Sequence, residues 1–146
     1  MAEKKELDRR LGIKGWALGG RWGFERYLYT LHRITGLGLV TYFLLHILVT
    51  STRAFGGRAI WDPLMGTLGS GFFKAGEFLV FAGFAIHGLN GIRLILIELG
   101  IATGKAIEPE YPYPTSVGNQ RPLAITVSIL AAVLIVLGAY NIFIAH

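Results

Sequence analysis

One stretch of the sequence decides the fold: FLVFAGFAIHGLNGIRLILI, residues 78–97. The hydrocarbon core of a bilayer is about 30 Å thick, and an α-helix needs about 20 apolar residues to cross it. Residues 78–97 meet that requirement, and so do the apolar runs 34–52 and 123–144 on either side. Because isolated strands would leave backbone N–H and C=O groups unpaired in lipid, each run is predicted to be a transmembrane helix.

The composition of the 146 residues points to the same class. Hydrophobic residues make up 53% of the chain and charged residues 16%, whereas about a quarter of a soluble domain is charged. These values exclude a soluble enzyme, a disordered tail and a nucleic-acid-binding module, despite the formal net charge of +5. The absence of cysteine excludes disulfides, thiolate metal sites, iron–sulfur ligation and covalently attached haem. The sequence predicts an all-α integral membrane protein.

Helices are predicted over about 30–53, 74–100 and 122–145, with residues 1–29 forming a cytoplasmic or interfacial segment. Residues 16–29 interleave aromatic side chains with arginines, which is typical of a membrane interface. Pro122 is expected at the start of the third helix, where its missing N–H costs nothing. No small-residue cleavage site follows a short apolar stretch near the N-terminus, so a cleaved signal peptide is not expected.

The orientation follows from the basic residues. More than half of the 14 Lys and Arg residues lie before residue 34. The positive-inside rule therefore places the N-terminus in the cytoplasm and the C-terminus outside, in the inner (cytoplasmic) membrane. The two connections between helices hold equal numbers of basic residues, so the N-terminal bias alone decides this prediction.

Polar residues inside the predicted spans are the candidates for function, because a polar group in lipid is costly. The third span has no Asp, Glu, His, Lys or Arg between Leu123 and Ile144. The candidates on the first two helices are His32, Arg33, His46, His87, Asn90 and Arg93.

His87 has a glycine one turn away on each side. Gly83 and Gly91 share its helix face, so a broad, flat molecule such as haem could approach the backbone while the imidazole reaches its iron. The same glycines would equally serve as a small-residue surface for helix packing, with His87 hydrogen-bonded inside the protein. The spacing leaves both interpretations open.

The first helix offers two weaker candidates. His46 follows Tyr42 and Phe43 on one face, and a hydrogen bond to a neighbouring backbone would explain it without a ligand. His32 and Arg33 stand where the apolar run begins. There they could bind haem propionates, a quinone carbonyl or a lipid phosphate, or they could simply form the basic flank of the span.

The run His32-Arg33-Ile34-Thr35-Gly36 resembles the H-R-x-S/T-G signature of the large cytochrome b subunit of succinate dehydrogenase. The run from His87 to Arg93 is similar to that family's H-x-x-x-G-x-R motif. Both motifs occur in the family's order, on the first two of three helices, and the resemblance covers about residues 20–145.

The resemblance implies a membrane anchor, part of a helix bundle completed by a second anchor subunit, that holds a flavoprotein and an iron–sulfur subunit. Electrons from succinate would then pass through the iron–sulfur clusters to a membrane quinone. The anchor would bind haem b, with His87 as an axial ligand of the iron. By the same resemblance, the propionates would lie near His32, Arg33 and Arg93.

The implied quinone site differs from the family pattern. Arg33 matches a quinone-pocket arginine, but many members carry a serine three residues before the motif histidine. Here that position is Tyr29, and Thr30 follows it, so either hydroxyl could take the serine's place. The residue after Arg93 is Leu94, where many members have a second histidine.

His46 resembles the first-helix histidine of members that hold two haems. His46 lies about 20 Å past Arg33 along an ideal helix, while His87 lies about 9 Å before Arg93. If both arginines mark the inner surface, the two histidines cannot reach one iron; if Arg93 lies within lipid, their depths converge. The expectation is one or two haems, each needing a second ligand from the other anchor subunit.

Three alternatives remain. A fumarate reductase anchor would have the same architecture. A haem-free scaffold or small transporter subunit would use His87 and Arg93 to line a polar cavity. The cytochrome b subunit of a hydrogenase or formate dehydrogenase would generally have more helices and lack the first motif.

Overall fold

A computed structural model describes residues 12–17, 23–105, 108, 110–111 and 115–145. Its elements are α1 (Gly12–Ala17), α2 (Phe24–Leu68), α3 (Gly71–Glu98) and α4 (Val117–Phe143). The three long helices α2, α3 and α4 are apolar enough to cross a membrane, and no strand occurs in the described ranges. The prediction of an all-α protein with three membrane-spanning helices is confirmed.

Helix α2 is longer than predicted at both ends. It begins at Phe24, after Gly23 with its positive φ of 104°, so residues 24–29 belong to this helix rather than to the segment predicted to precede it. It continues past Arg53 to Leu68, interrupted at Gly57, where φ is 59° and ψ is −160°. Hydropathy falls after residue 52, but an α-helix also keeps its hydrogen bonds in water. Most of the segment 1–23 lies outside the described residues.

Helix α4 corrects the expectation for Pro122. Because the helix begins at Val117, Pro122 lies in its second turn rather than at its start. Its missing N–H therefore leaves the carbonyl of Gly118 without the usual helical partner. Helix α3 ends at Glu98, close to the predicted boundary.

Helix α3 lies between the other two long helices and packs along both, whereas α2 and α4 meet over a short stretch. Small residues let α4 approach closely: Ala124 and Ala131 are buried, and a Cβ at Gly138 would overlap the ring of Phe81. Most of the α2 surface between Leu37 and Leu48 is exposed and apolar, as expected for contact with lipid or another membrane subunit.

A charged pair joins α2 to α4 at one end of the bundle. The carboxylate of Glu25 at the start of α2 accepts two hydrogen bonds from Arg121 on α4, at 2.9 and 3.3 Å. The Glu25 charge also acts on Arg93 of α3. This Glu25 end of the bundle is the end at which α2 and α4 begin and α3 ends.

Candidate functional site

The packing of α2 against α3 brings His32 and His87 together. Their imidazole rings are stacked, with centroids 3.9 Å apart and planes inclined by only 6°. Neighbouring antiparallel helices place these two residues at the same level, although they are far apart in the sequence. The candidate site is therefore built between the first two long helices, on the two motifs that the sequence singles out.

The imidazole of His87 is oriented by the backbone of α2. Its Nδ1 lies 3.0 Å from the carbonyl oxygen of His32 and 3.5 Å from the hydroxyl of Thr35. In the tautomer that donates Nδ1–H to the carbonyl, Nε2 keeps its lone pair. Metal-binding histidines in proteins are commonly held in this way, with one nitrogen fixed by an oxygen and the other directed to the metal.

Gly36 makes room for this ring. A Cβ at Gly36 would lie 2.8 Å from Cε1 of His87, so any larger residue would displace the imidazole. Gly91 would make an ordinary contact with His32, and a Cβ at Gly83 would meet no described atom within 4 Å. The sequence pointed to the glycines beside His87 on its own helix. It did not single out Gly36, although this glycine belongs to the first motif and lies one turn after His32.

His87 and His32 have the donor atoms that would hold a haem. His87 offers Nε2, for which the described residues provide no hydrogen bond, and the buried Nδ1 of His32 also has no partner among them. An orphaned imidazole nitrogen next to the ligand suits a propionate carboxylate. His32 would not bind the same iron as His87, because the two imidazole rings are stacked face to face.

Tyr29 and Arg33 form a second polar group on the exposed side of α2. Arg33 Nη1 lies 3.2 Å from the Tyr29 hydroxyl oxygen, to which it donates. The guanidinium carbons of Arg26 and Arg33 lie 5.3 and 5.4 Å from the centre of the Tyr29 ring. Thr30 is 3% exposed and donates to the carbonyl of Arg26. The structure thus brings Tyr29 and Arg33 together and turns Thr30 towards the interior.

Arg93 lies inside the bundle, with 3% of its surface exposed. Its Nε donates to Oδ1 of Asn90 at 2.9 Å, and the Asn90 amide nitrogen has no hydrogen-bond partner among the described residues. The sequence analysis did not predict this buried pair. The spacing could have indicated it, because residues three apart share one face of a helix. A contact between Arg93 and a propionate stays a prediction.

His46 stands apart from the histidine pair, on the exposed surface of α2. Its Nδ1 lies 3.3 Å from the hydroxyl oxygen of Tyr42, one turn earlier. The helix is regular between His32 and His46, so these residues are about 21 Å apart along its axis. Because His87 is stacked on His32, it is separated from His46 by about the same distance. His46 and His87 therefore cannot ligate the same iron.

The three long helices, the apolar outer surface and the polar groups between the helices define a multi-pass membrane protein with a candidate site inside its helix bundle. Residues 18–137 match the family described as succinate dehydrogenase/fumarate reductase transmembrane subunit. The match covers most of the chain, and the chain belongs to this family of membrane anchor subunits.

One similar protein is the succinate dehydrogenase hydrophobic membrane anchor subunit of Halobacterium salinarum, which is 33% identical over 85 residues. The match covers 56% of this chain and 65% of that relative, slightly less than two thirds of its length. No solved structure matches the chain. The predicted family is confirmed, while the narrower assignment to the large cytochrome b subunit stays a prediction.

Proposed function

We propose that the chain is a haem b-binding membrane anchor of a succinate:quinone oxidoreductase and that it passes electrons from the iron–sulfur subunit to a membrane quinone. The observation that carries this proposal is the position of His87. Its Nδ1 is held by the His32 carbonyl between two membrane-spanning helices, and its Nε2 remains for a metal.

Haem b bound at His87 would supply one-electron transfer. The chain's own contribution is to fix the ligand: the His32 carbonyl selects the tautomer of His87, and Gly36 admits its ring. A backbone acceptor also makes the ligating imidazole more electron-rich, which helps set the redox potential. His32 and Arg33 are the proposed partners of the propionates, and Arg93 is a further candidate.

His46 is the proposed ligand of a second haem, in the tautomer whose Nδ1–H donates to the Tyr42 hydroxyl as that of His87 donates to the His32 carbonyl. In both cases an oxygen atom lies beside Nδ1, and the described residues provide no hydrogen bond to Nε2. Since His46 is about 21 Å from the His32 level, two haems would give electrons a route across the membrane. Such a route would couple the reaction to the membrane potential, by about 2.3 kcal/mol per 100 mV for each charge that crosses.

Tyr29 and Arg33 are the proposed quinone-binding residues. The Arg33 guanidinium would stabilise negative charge on a quinone oxygen during reduction, and the Tyr29 hydroxyl, which accepts from Arg33, would donate its own proton in a hydrogen bond. We prefer Tyr29 to Thr30 as the replacement for the family's serine, because the Thr30 side chain is buried and bonded to the backbone.

The partners in this proposal are a flavoprotein subunit, an iron–sulfur subunit and a second membrane anchor. A second anchor would supply the other ligand to the iron, since His32 is stacked on His87 and would not do so. The exposed face of α2 that carries His46 is the surface we assign to it. The Glu25 end would face the cytoplasm, in agreement with the basic N-terminal segment.

The test is a dithionite-reduced minus oxidised visible spectrum of the detergent-purified complex, with haem quantified per copy of this chain. We expect two b-type haems per copy. One haem would support His87 alone and remove the role of His46. An intact, active complex without haem would overturn the cytochrome proposal and leave an anchor with a quinone site.

The family match also admits a fumarate reductase anchor, since its description covers both enzymes. Measuring succinate oxidation and fumarate reduction by the same purified complex, with quinones of high and low potential, separates these two functions. The direction depends on the quinone and the soluble subunits, so neither result changes the haem proposal.

A further inference from the structure

Arg53 stands where the first span ends, and no contact described above uses it. The apolar run of α2 ends at residue 52, and the helix has no break before Gly57. Arg53 is therefore about 32 Å along the helix axis from the His32 level, close to the thickness of the hydrocarbon core of a bilayer. It lies at the end of the bundle opposite Glu25.

Arg53 and His46 share one face of α2. They are seven residues apart, so they point within about 20° of the same direction, with Arg53 about 10 Å further along the axis. Leu39, seven residues before His46, is only 8% exposed, whereas His46 and Arg53 are both exposed. This face is covered at Leu39 and open from His46 to Arg53. A group bound at His46 therefore has room to extend along α2 as far as Arg53.

The guanidinium of Arg53 is unpaired. Asp62 and Glu77 are the acidic residues that follow it in the chain, but the ion pair found among the described residues joins Glu25 to Arg121. Arg53 also makes no hydrogen bond to any described residue. A guanidinium presents five N–H donors in a planar fork, which a carboxylate can accept two at a time.

The hydroxyl groups next to Arg53 are already used. Thr50, Ser51 and Thr52 each donate to a backbone carbonyl of the preceding turn, at 2.7, 2.7 and 2.6 Å. Within residues 50–53, Arg53 is therefore the side chain whose donors remain free. The chemistry that this end of the face can bind is that of an anion.

We propose that Arg53 binds the propionates of the haem whose iron is held by His46. This inference rests on the second haem of the proposed function. Propionates are carried on the edge of the macrocycle, so their partner must lie along the helix from the iron ligand rather than beside it. Arg53 has that position on the open face, and at the end of the span the carboxylates would keep contact with water. With the Glu25 end in the cytoplasm, the positive-inside rule does not account for an arginine here.

The charge of Arg53 also acts on the haem at His46. Reduction adds an electron, and a nearby positive charge stabilises the reduced state, so Arg53 raises the midpoint potential of this haem. The His87 level is about 32 Å from Arg53. The haem at His87 should therefore keep its own potential when Arg53 is replaced.

The test is a redox titration of each purified full complex, followed in the visible spectrum, together with haem retention on dilution in detergent. Arg53→Gln removes the charge, and Arg53→Lys keeps it. Arg58→Gln is the matched control, because Arg58 is an exposed arginine beyond the break in α2 at Gly57. His46→Leu identifies the spectral component that belongs to the haem at His46.

In Arg53→Gln we expect that component to fall in midpoint potential and to be released about tenfold faster on dilution, because a charge-assisted hydrogen bond to a carboxylate is lost. Arg53→Lys should keep most of the potential, and Arg58→Gln should match the wild type. Co-purification of the soluble subunits checks that each variant has assembled.

Two haems with unchanged potentials and retention in assembled Arg53→Gln would overturn this inference and leave the second haem in place. Equal shifts in Arg53→Gln and Arg58→Gln would also overturn it, since they would reflect the general surface charge. A wild-type haem content that His46→Leu does not change would overturn the second haem, and this inference with it.

Discussion

The main-chain carbonyl of His32 lies 3.0 Å from Nδ1 of His87, and the two imidazole rings are stacked 3.9 Å apart. One residue of α2 therefore both orients the proposed iron ligand and covers one face of its ring. The orientation of the His87 imidazole therefore depends on the register between α2 and α3.

Replacing the ligand should remove one haem. We expect His87→Ala to lower the haem content from two to one per copy of this chain, because Nε2 of His87 is the proposed axial ligand. The measurement is the reduced minus oxidised spectrum, with co-purification of the soluble subunits as the check on assembly. An assembled His87→Ala complex with its full haem content would contradict the assignment.

Gly36→Ala tests the close contact between Gly36 and the imidazole of His87 without changing the proposed ligand itself. The new Cβ would lie 2.8 Å from Cε1 of His87, so the imidazole must shift from its hydrogen bond to the His32 carbonyl. Loss of such an orienting contact typically weakens metal binding by about 10–100-fold, and we expect haem to be lost correspondingly during detergent dilution.

Gly38→Ala is the matched control for Gly36→Ala, because its Cβ would meet no described atom within 4 Å. Replacing an unconstrained helical glycine should be neutral or stabilise the helix by up to about 1 kcal/mol. If both variants release haem equally, the contact between Gly36 and His87 has no specific role in haem binding.

His46→Leu should remove the second haem and leave the first. His46 is about 21 Å from the His32 level, so its loss should not disturb the stacked pair. Haem per copy of this chain is expected to fall from two to one, and the remaining spectrum should match the component that His87→Ala removes. An unchanged haem content would mean that His46 serves only in contact with a neighbouring subunit.

Arg33→Ala and Tyr29→Phe test the quinone site. Removing a preorganised charge that stabilises a developing anion costs about 100-fold or more in rate, so we expect Arg33→Ala to lower kcat/KM for the quinone by about that factor. Tyr29→Phe removes one hydrogen bond, worth about tenfold. Activity is measured with quinone and with a soluble dye that takes its electrons from the soluble subunits. A loss confined to the quinone assay places the defect at the quinone site.

Tyr140→Phe makes the same chemical change as Tyr29→Phe at an exposed tyrosine near the other end of the bundle. Its quinone reductase activity is expected to equal that of the wild type. Equal defects in both tyrosine variants, or a matching loss of dye reduction in Arg33→Ala, would exclude a local role for Tyr29 and Arg33.

The contact between Phe81 and Gly138 predicts where α3 and α4 tolerate no added volume. Gly138→Ala places a methyl group inside the Phe81 ring position, and overpacking of this kind costs about 1–3 kcal/mol. We expect a lower Tm for the purified complex, restored in part by Phe81→Leu in the same chain. Gly118→Ala, whose Cβ would meet no described atom within 4 Å, should leave the Tm unchanged or raise it slightly.

Hydropathy located the spans but not the full helices. It marked the apolar run that begins at Ile34, whereas α2 begins at Phe24 and continues beyond the break at Gly57 to Leu68. The reason is that hydropathy reports which residues can face lipid, and a helix needs only its backbone hydrogen bonds. For the same reason the sequence placed Pro122 at the start of a helix that begins at Val117.

The chemical candidates were visible in the sequence, because few polar side chains interrupt its apolar runs. His32, Arg33 and His87 stood out by type and motif, but their surroundings did not. Tyr29 and Thr30 are neighbours in sequence, yet Tyr29 faces outwards beside Arg33 while Thr30 is buried. That choice depends on how α2 is rotated against α3, which a single helix cannot specify.

The sequence by itself determined that this protein has three helices able to cross a membrane and that its candidate polar residues lie on the first two, since polarity and apolar length are properties of each segment alone. Only the tertiary structure decided that His32 stacks on His87, that Gly36 is the residue that makes room for the imidazole, and that Arg93 is buried inside the bundle. These features depend on the register and rotation of neighbouring helices. Both are fixed by close packing between side chains far apart in the chain.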